Sequence, residues 1–218
     1  MAIRHLTYGA IISPIGRVEQ YVPALPPVLG ETDYKIISSG TSVTSTTISA
    51  YGNGWYIATV MHRSALTTPA GWTLLSTTTA YAGGQFTSML AKQTTGPETL
   101  SVTFATSGSG RLILDLAHIG GDFTPTHLPA KTISLGDSVV MASSKAGANV
   151  YVWGMSTYYV SSGAWSAAPA ELVSVPDPAP TVDARCGMFY DDVVAGDRTF
   201  NVSGQSGTTL DALELVPS

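Results

Sequence analysis

The chain has 218 residues, 44% hydrophobic and 11% charged, so it is long enough to bury a core yet carries under half the charge of an ordinary globular domain. Ten Lys and Arg against fifteen Asp and Glu give a net charge of -5, which excludes the basic footprint that a phosphate backbone requires; nucleic acid is not an expected partner. No apolar run approaches the roughly 20 residues of a membrane helix, so no membrane span is expected. Residues 1–20 read as neither anchor nor signal peptide, because Gly9 and Pro14 interrupt the short apolar segment after Arg4 and His5.

Residues 1–30 form the first unit, an extended N-terminal arm. Pro23, Pro26 and Pro27 exclude helix and inner strand between Tyr21 and Gly30. Ile3, Leu6, Tyr8, Ile11, Ile12, Tyr21 and Leu25 are too apolar for a free tail and are the candidate docking residues. The arm either wraps its own domain as an edge strand or docks on another subunit.

Residues 31–218 form the second unit. Short runs of β-branched and aromatic residues alternate with Gly, Ser, Pro and Asn, the pattern of an antiparallel β-sandwich of jelly-roll-like kind. The 27 Thr and 24 Ser replace charge on the solvated faces and favour strands. Candidate strands are 34–38, 42–49, 55–62, 73–75, 86–92, 98–105 and 112–119, then 131–135, 138–143, 149–157, 170–175, 185–193, 198–202 and 212–216. No window holds a 3.6-residue apolar period over ten residues, so helix should be scarce.

The chain also resembles itself. Thr103-Phe104-Ala105-Thr106-Ser107-Gly108-Ser109-Gly110, then Leu112 and Asp115, is echoed by Thr199-Phe200-Asn201-Val202-Ser203-Gly204-Gln205-Ser206-Gly207, then Leu210 and Asp211. Each copy reads as strand, Ser/Gly turn, strand. Weaker matches set the segment 55–63 against 138–144, and Gly71-Trp72 against Gly163-Ala164-Trp165. The matches arise either from pseudo-repeated halves, 31–125 and 126–218, or from the recurrence of threonine-rich strands.

Several groups could carry chemistry. Gly136-Asp137-Ser138-Val139 has the form of a serine-esterase block, but His5, His62, His118 and His127 all precede Ser138, and no base follows it. The Gly-x-Ser-x-Gly elbow is absent. Asp115, His118, Asp122 and His127 are potential metal ligands whose spacings match no compact motif. Asp191, Asp192 and Asp197 gather oxygens around Gly196 without the alternation of a calcium loop. Cys186 stands alone, so neither an intrachain disulfide nor a thiolate zinc site can form. The expectation is therefore no catalytic residue, no metal and no cofactor. Aromatic rings offer a different route, since sugar faces stack on them. Tyr151 and Trp153 alternate on a strand and read as core, whereas Tyr158, Tyr159 and Trp165 flank Ser161-Ser162-Gly163 and are the candidate glycan-binding residues.

Gly54-Trp55-Tyr56-Ile57-Ala58-Thr59-Val60, Pro69-Ala70-Gly71-Trp72-Thr73-Leu74-Leu75, Met89-Leu90-Ala91-Lys92, Pro97-Glu98-Thr99-Leu100-Ser101-Val102-Thr103-Phe104 and Ile119-Gly120-Gly121 occur in that order. This series resembles a β-sandwich domain of structural proteins from tailed bacteriophages and prophage tail genes. The likeness extends to Ala195-Gly196-Asp197-Arg198-Thr199-Phe200 and Leu213-Glu214-Leu215, and departs from the usual Gly-Asp opening, which is Gly52-Asn53-Gly54 here. The resemblance implies a non-enzymatic virion component of fibre, tip, baseplate or capsid-decoration type. Its implied partners are other virion proteins, further copies in a homo-oligomer and a host-surface glycan. The alternative is a carbohydrate-binding module on a secreted or cell-surface protein.

Overall fold

The computed structural model describes residues 10–12, 18–20, 27–79, 84–133, 138–141, 150–160, 165–167, 171–174, 185–191, 198–202 and 205–217, and places side chains at 27–79, 84–129 and 211–216. These residues are all-β, with antiparallel sheets and no helix. No helix among them is long and apolar enough to cross a membrane. The strands are β1 Ala10–Ile12, β2 Val18–Gln20, β3 Val28–Thr44, β4 Ile48–His62, β5 Leu66–Thr67, β6 Thr73–Thr79, β7 Phe86–Leu100 and β8 Thr103–Gly120. They continue as β9 Phe123–Ile133, β10 Ser138–Met141, β11 Val150–Val160, β12 Trp165–Ala167, β13 Glu171–Ser174, β14 Arg185–Asp191, β15 Arg198–Val202 and β16 Gln205–Pro217.

One long ribbon organises the first half. β3 pairs with β8 from Val28↔Gly120 to Thr44↔Thr103, and β4 pairs with β7 from Ile48↔Leu100 to His62↔Phe86. Residues 28–62 and 86–120 thus run antiparallel along their lengths, with register shifts in β3–β8 at Leu29/Thr32, Ile37/Gly40 and Gly40/Ser42 and with breaks between strands at 45–47 and 101–102. There the two breaks bind each other: Ser45 N donates to Val102 O at 2.9 Å, Val102 N to Ser45 Oγ at 3.0 Å and Ser101 Oγ to Ser45 O at 3.1 Å. The ribbon then doubles back, so that β4 lies directly on β8 from Gly54↔Gly120 to Met61↔Ile113. The resulting sheet has the order β3-β8-β4-β7-β6, with β5 also on β8.

The second half repeats this scheme. β9 pairs with β16, β10 with β15 and β11 with β14, while β11 also lies on β16. Its five-stranded sheet runs β9-β16-β11-β14-β13, and β12 lies on β15 as β5 does on β8. Even single positions correspond: Asp115 opposes Thr59, which opposes Met89, and Asp211 opposes Gly154, which opposes Met188. The Thr103 to Thr106 and Thr199 to Val202 copies occupy the equivalent strands β8 and β15. The match of 55–63 to 138–144 is corrected, because the equivalent of β4 is β11, not β10. It failed because short apolar runs bounded by polar residues fit several strands equally well.

The central strands are buried on both faces, which explains their unbroken apolar character. One face carries Tyr56, Ala58, Val60, Leu90, Leu112 and Leu114. The outer halves of the ribbon close over it with Val43, Ile48, Val102 and Phe104, and Trp72 meets Phe104 edge to face at 5.3 Å. The opposite face carries Ile57, Met89, Ala117 and Ile119, covered by Phe123, Leu213 and Leu215 of the second sheet. A polar tie crosses the same interface, where Ser76 of β6 donates to Asp211 Oδ2 of β16; within the second sheet His127 Nε2 donates to Asp211 Oδ1 at 2.5 Å.

Two strand expectations are corrected. The candidates 42–49 and 98–105 each straddle a break of the ribbon, at residues with good strand propensity and no Gly or Pro to mark it. The boundary at residue 30 falls inside β3, since Val28 pairs with Gly120 and Leu29 with Ile119. Upstream, β1 and β2 form an antiparallel pair, Ile11 opposite Glu19 and Ile12 opposite Val18. Ile3, Leu6, Tyr8, Tyr21 and Leu25 lie outside the described residues.

Candidate functional site

A surface groove opens where β4 parts from β8. Beyond the Gly54↔Gly120 pair, residues 48–53 continue with β7 alone, and the gap left beside β3 and the β8–β9 turn encloses about 420 Å³. Leu29 and Gly30 of β3, Tyr51 and Asn53 of β4, His118 of β8 and Asp122 of the turn supply its surface. Gly54 makes the parting possible. Its φ is +154°, and a Cβ there would meet the Ile119 carbonyl oxygen at 2.2 Å, so no other residue allows the two strands this approach.

The rim is aromatic and fixed. Tyr51 is 72% exposed, and its hydroxyl donates to Glu31 Oε1 at 2.5 Å. Glu31 sits at the register shift between Leu29 and Thr32, and its other oxygen accepts the Ser49 backbone amide at 2.7 Å. The Tyr51 hydroxyl, then the Ser49 amide, hold the Glu31 carboxyl below the usual carboxylate range, while the same contact raises the Tyr51 phenol. Across the groove, Asn53 Nδ2 donates to Asp122 Oδ1 at 3.3 Å and Gly121 N donates to Asn53 O at 3.0 Å. Val28, 61% exposed, adds an apolar shoulder.

The floor is His118, only 2% exposed and edge-on to Tyr56 at 5.1 Å. Thr94 Oγ1 donates to Gly52 O at 3.1 Å and lies 3.3 Å from His118 Nε2. With the single Thr94 proton given to Gly52 O, the nearer acceptor, Nε2 is assigned as the donor in the second contact and Nδ1 as the lone-pair nitrogen. Nδ1 faces Gly30, whose missing Cβ would lie 3.0 Å away; the glycine keeps this acceptor open. Burial lowers the His118 pKa, opposed by the charges of Glu98 and Glu31, and the ring is neutral at pH 7.

The residues singled out by sequence fare differently. His118 and Asp122 meet at this groove as hydrogen-bonding groups, whereas Asp115 lies on the opposite face of β8 and His127 is engaged by Asp211. Among the described residues no cluster of three or more His, Cys, Asp and Glu could hold a metal ion. Tyr158 and Tyr159 lie within β11, Tyr159 opposite Ser206, and Trp165 opens β12 opposite Val202, so all three occupy strands rather than a loop, and in two different sheets. Ser138 opens β10 opposite Asn201; Asp137, Asp192 and Asp197 lie outside the described residues.

Two serines acquire partners that sequence spacing did not reveal. His62 Nδ1 donates to Ser64 O at 2.8 Å, which leaves Nε2 to accept Ser88 Oγ at 2.8 Å. That pair has nucleophile-and-base geometry, but both residues are sealed in the core. At Ser76 the carboxylate of Asp211 stands between hydroxyl and imidazole, so His127 cannot take the serine proton. Neither constellation offers a substrate an approach to an activated hydroxyl. Comparison with protein-family models, curated proteins and solved structures finds no match to this chain.

Proposed function

We propose that the chain is a structural component of a tailed-bacteriophage particle, a jelly-roll-like β-sandwich that serves assembly or host-surface attachment in the tail or capsid decoration. The observation that carries this reading is where the resembling segments fall. Residues 54–60, 73–75, 89–92 and 97–104 lie on β4, β6, β7 and the β7–β8 junction of one sheet, so the likeness belongs to a scaffold. A scaffold with few charged groups loses little stability when salt changes, as suits a particle outside a cell. The reading is non-enzymatic: esterase or glycosidase turnover that Ser138→Ala or Asp137→Asn removes would contradict it.

The deciding experiment is immunogold labelling of particles from a producing culture with antibody raised against the chain. Gold at a fixed place on the particles is expected. Label confined to particle-free protein overturns the proposal.

A further inference from the structure

We propose that the groove beneath Tyr51 binds a neutral saccharide, with one hexopyranose ring stacked on Tyr51 and its hydroxyl groups directed to Asp122 and His118. The inference concerns the groove alone and holds whether or not the chain belongs to a particle.

The lining decides the ligand class. Its side chains are rich in acceptors and poor in free donors: the Tyr51 hydroxyl is committed to Glu31, and the Asn53 amide donates to Asp122. The Asp122 carboxylate and His118 Nδ1 remain able to accept. A polyol supplies the matching donors. Among the described residues no Lys or Arg lines the groove, and Asp122 and Glu31 place negative charge beside it, which disfavours phosphate, sulfate, sialic acid and uronic acid. A peptide strand finds little here, because the backbone amides of Ser49 and Gly121 are already taken by Glu31 and Asn53.

Preorganisation supplies the second line of support. Exposed aromatic side chains ordinarily rotate, and ordering them on binding costs affinity. Tyr51 is held through its hydroxyl with its ring left in solvent. At the floor, an imidazole almost fully removed from water keeps Nδ1 without a protein partner among the described residues, next to a glycine that leaves it uncovered. A ligand hydroxyl that reaches the floor meets an acceptor there that no protein donor has taken. The volume, about 420 Å³, lies at the small-ligand end of binding cavities.

The test is a printed array of neutral glucose-, galactose-, mannose- and N-acetylglucosamine-containing oligosaccharides, with sialylated and sulfated glycans and a Lys/Arg-rich peptide alongside. The strongest neutral glycan is then titrated calorimetrically into the full chain and its variants at low and high salt. Tyr51→Ala should weaken binding at least about tenfold, the equivalent of losing roughly 1.4 kcal/mol, with only a small fall in melting temperature, since the ring is exposed and the lost contact is the surface hydrogen bond to Glu31. Tyr51→Phe, which keeps the ring and releases its anchor, should fall between Tyr51→Ala and the parent. Asp122→Ala tests the opposite wall and should also weaken binding. Salt-independent binding with this order of variants supports the proposal. It is overturned if no neutral glycan binds at millimolar concentration, if Tyr51→Ala and Asp122→Ala bind as the parent does, or if only acidic glycans or the basic peptide bind.

Discussion

His62 and His118 are two imidazoles kept from water for different ends, one within a hydroxyl chain and one beneath a groove. His62 is held by Ser64 O and Ser88 Oγ, and Ser88 is in turn 2.8 Å from Thr77 Oγ1. Burial is the leading cause that lowers both pKa values from 6.5. The unfolded chain therefore binds protons at a higher pH than the folded one. Stability from these two sites is fully present above pH 6.5 and declines as pH falls toward the lowered folded values. Urea midpoints at pH 7.5, 6.0 and 5.0 should fall in that order, and His118→Gln should flatten the decline. An unchanged midpoint over that span rejects this account. Gly54 is the second residue on which local structure turns. Gly54→Ala should destabilise by roughly 3 kcal/mol through strain and overlap with the Ile119 carbonyl. Gly52→Ala, where an added Cβ would meet nothing within 4 Å, should change the melting temperature far less.

At the scale of elements, alternation and turn residues located most strands but misjudged their lengths. Gly96 and Pro97 look like the end of a strand, yet β7 runs through both. β6 accompanies β7 only as far as Ala91, so Pro97, opposite Tyr51, lies where the outer edge of β7 has no neighbour in the sheet and a missing amide costs nothing. Conversely, the breaks at 45–47 and 101–102 are made of Ser, Thr and Val, whose local preference is extended; the bend comes from the ribbon closing over Tyr56 and Leu114. The groove was legible only in fragments. His118 and Asp122 stood out as titratable residues, and Gly52-Asn53-Gly54 and Gly120-Gly121 as glycine-rich landmarks. Their meeting with Glu31 and Tyr51 depends on register between strands nearly ninety residues apart, which local pattern does not encode. The Asp211 tie is an element-scale feature of the same kind. Asp211→Ala removes its hydrogen bonds to Ser76 and His127 and should cost about 2 kcal/mol, whereas Asp122→Ala at the surface should cost little; denaturant melts of the two variants give the comparison.

For the whole molecule, the shared strand order of the halves raises the question of independence. Ile57, Met89 and Ile119 are covered by Leu213 and Leu215, so residues 1–125 alone would present an apolar face to water. That fragment should bind a hydrophobic dye and self-associate, and adding residues 126–218 in trans should suppress both. A monomeric fragment with its own cooperative melt would refute the dependence. The arm admits a related test, with the cut placed before Pro27 because Pro27 is buried and β3 opens at Val28. Deleting residues 1–26 should leave the fold intact while lowering self-association or incorporation into particles. Failure of that truncation to fold would make the arm part of its own domain.

The doubled ribbon also dictates an order of events during synthesis. β3 cannot complete its pairing until Gly120 has been made, and the sheet so formed waits for Leu213 before its second face is covered. At a usual translation rate of 5–20 residues per second, roughly 5–20 s separate those two moments. Throughout that interval a finished sheet carries a bare apolar face on a ribosome-bound chain. Neighbouring nascent chains on one message would expose the same surface together, so chaperone demand should depend more on the spacing of ribosomes than on the stability of the finished protein.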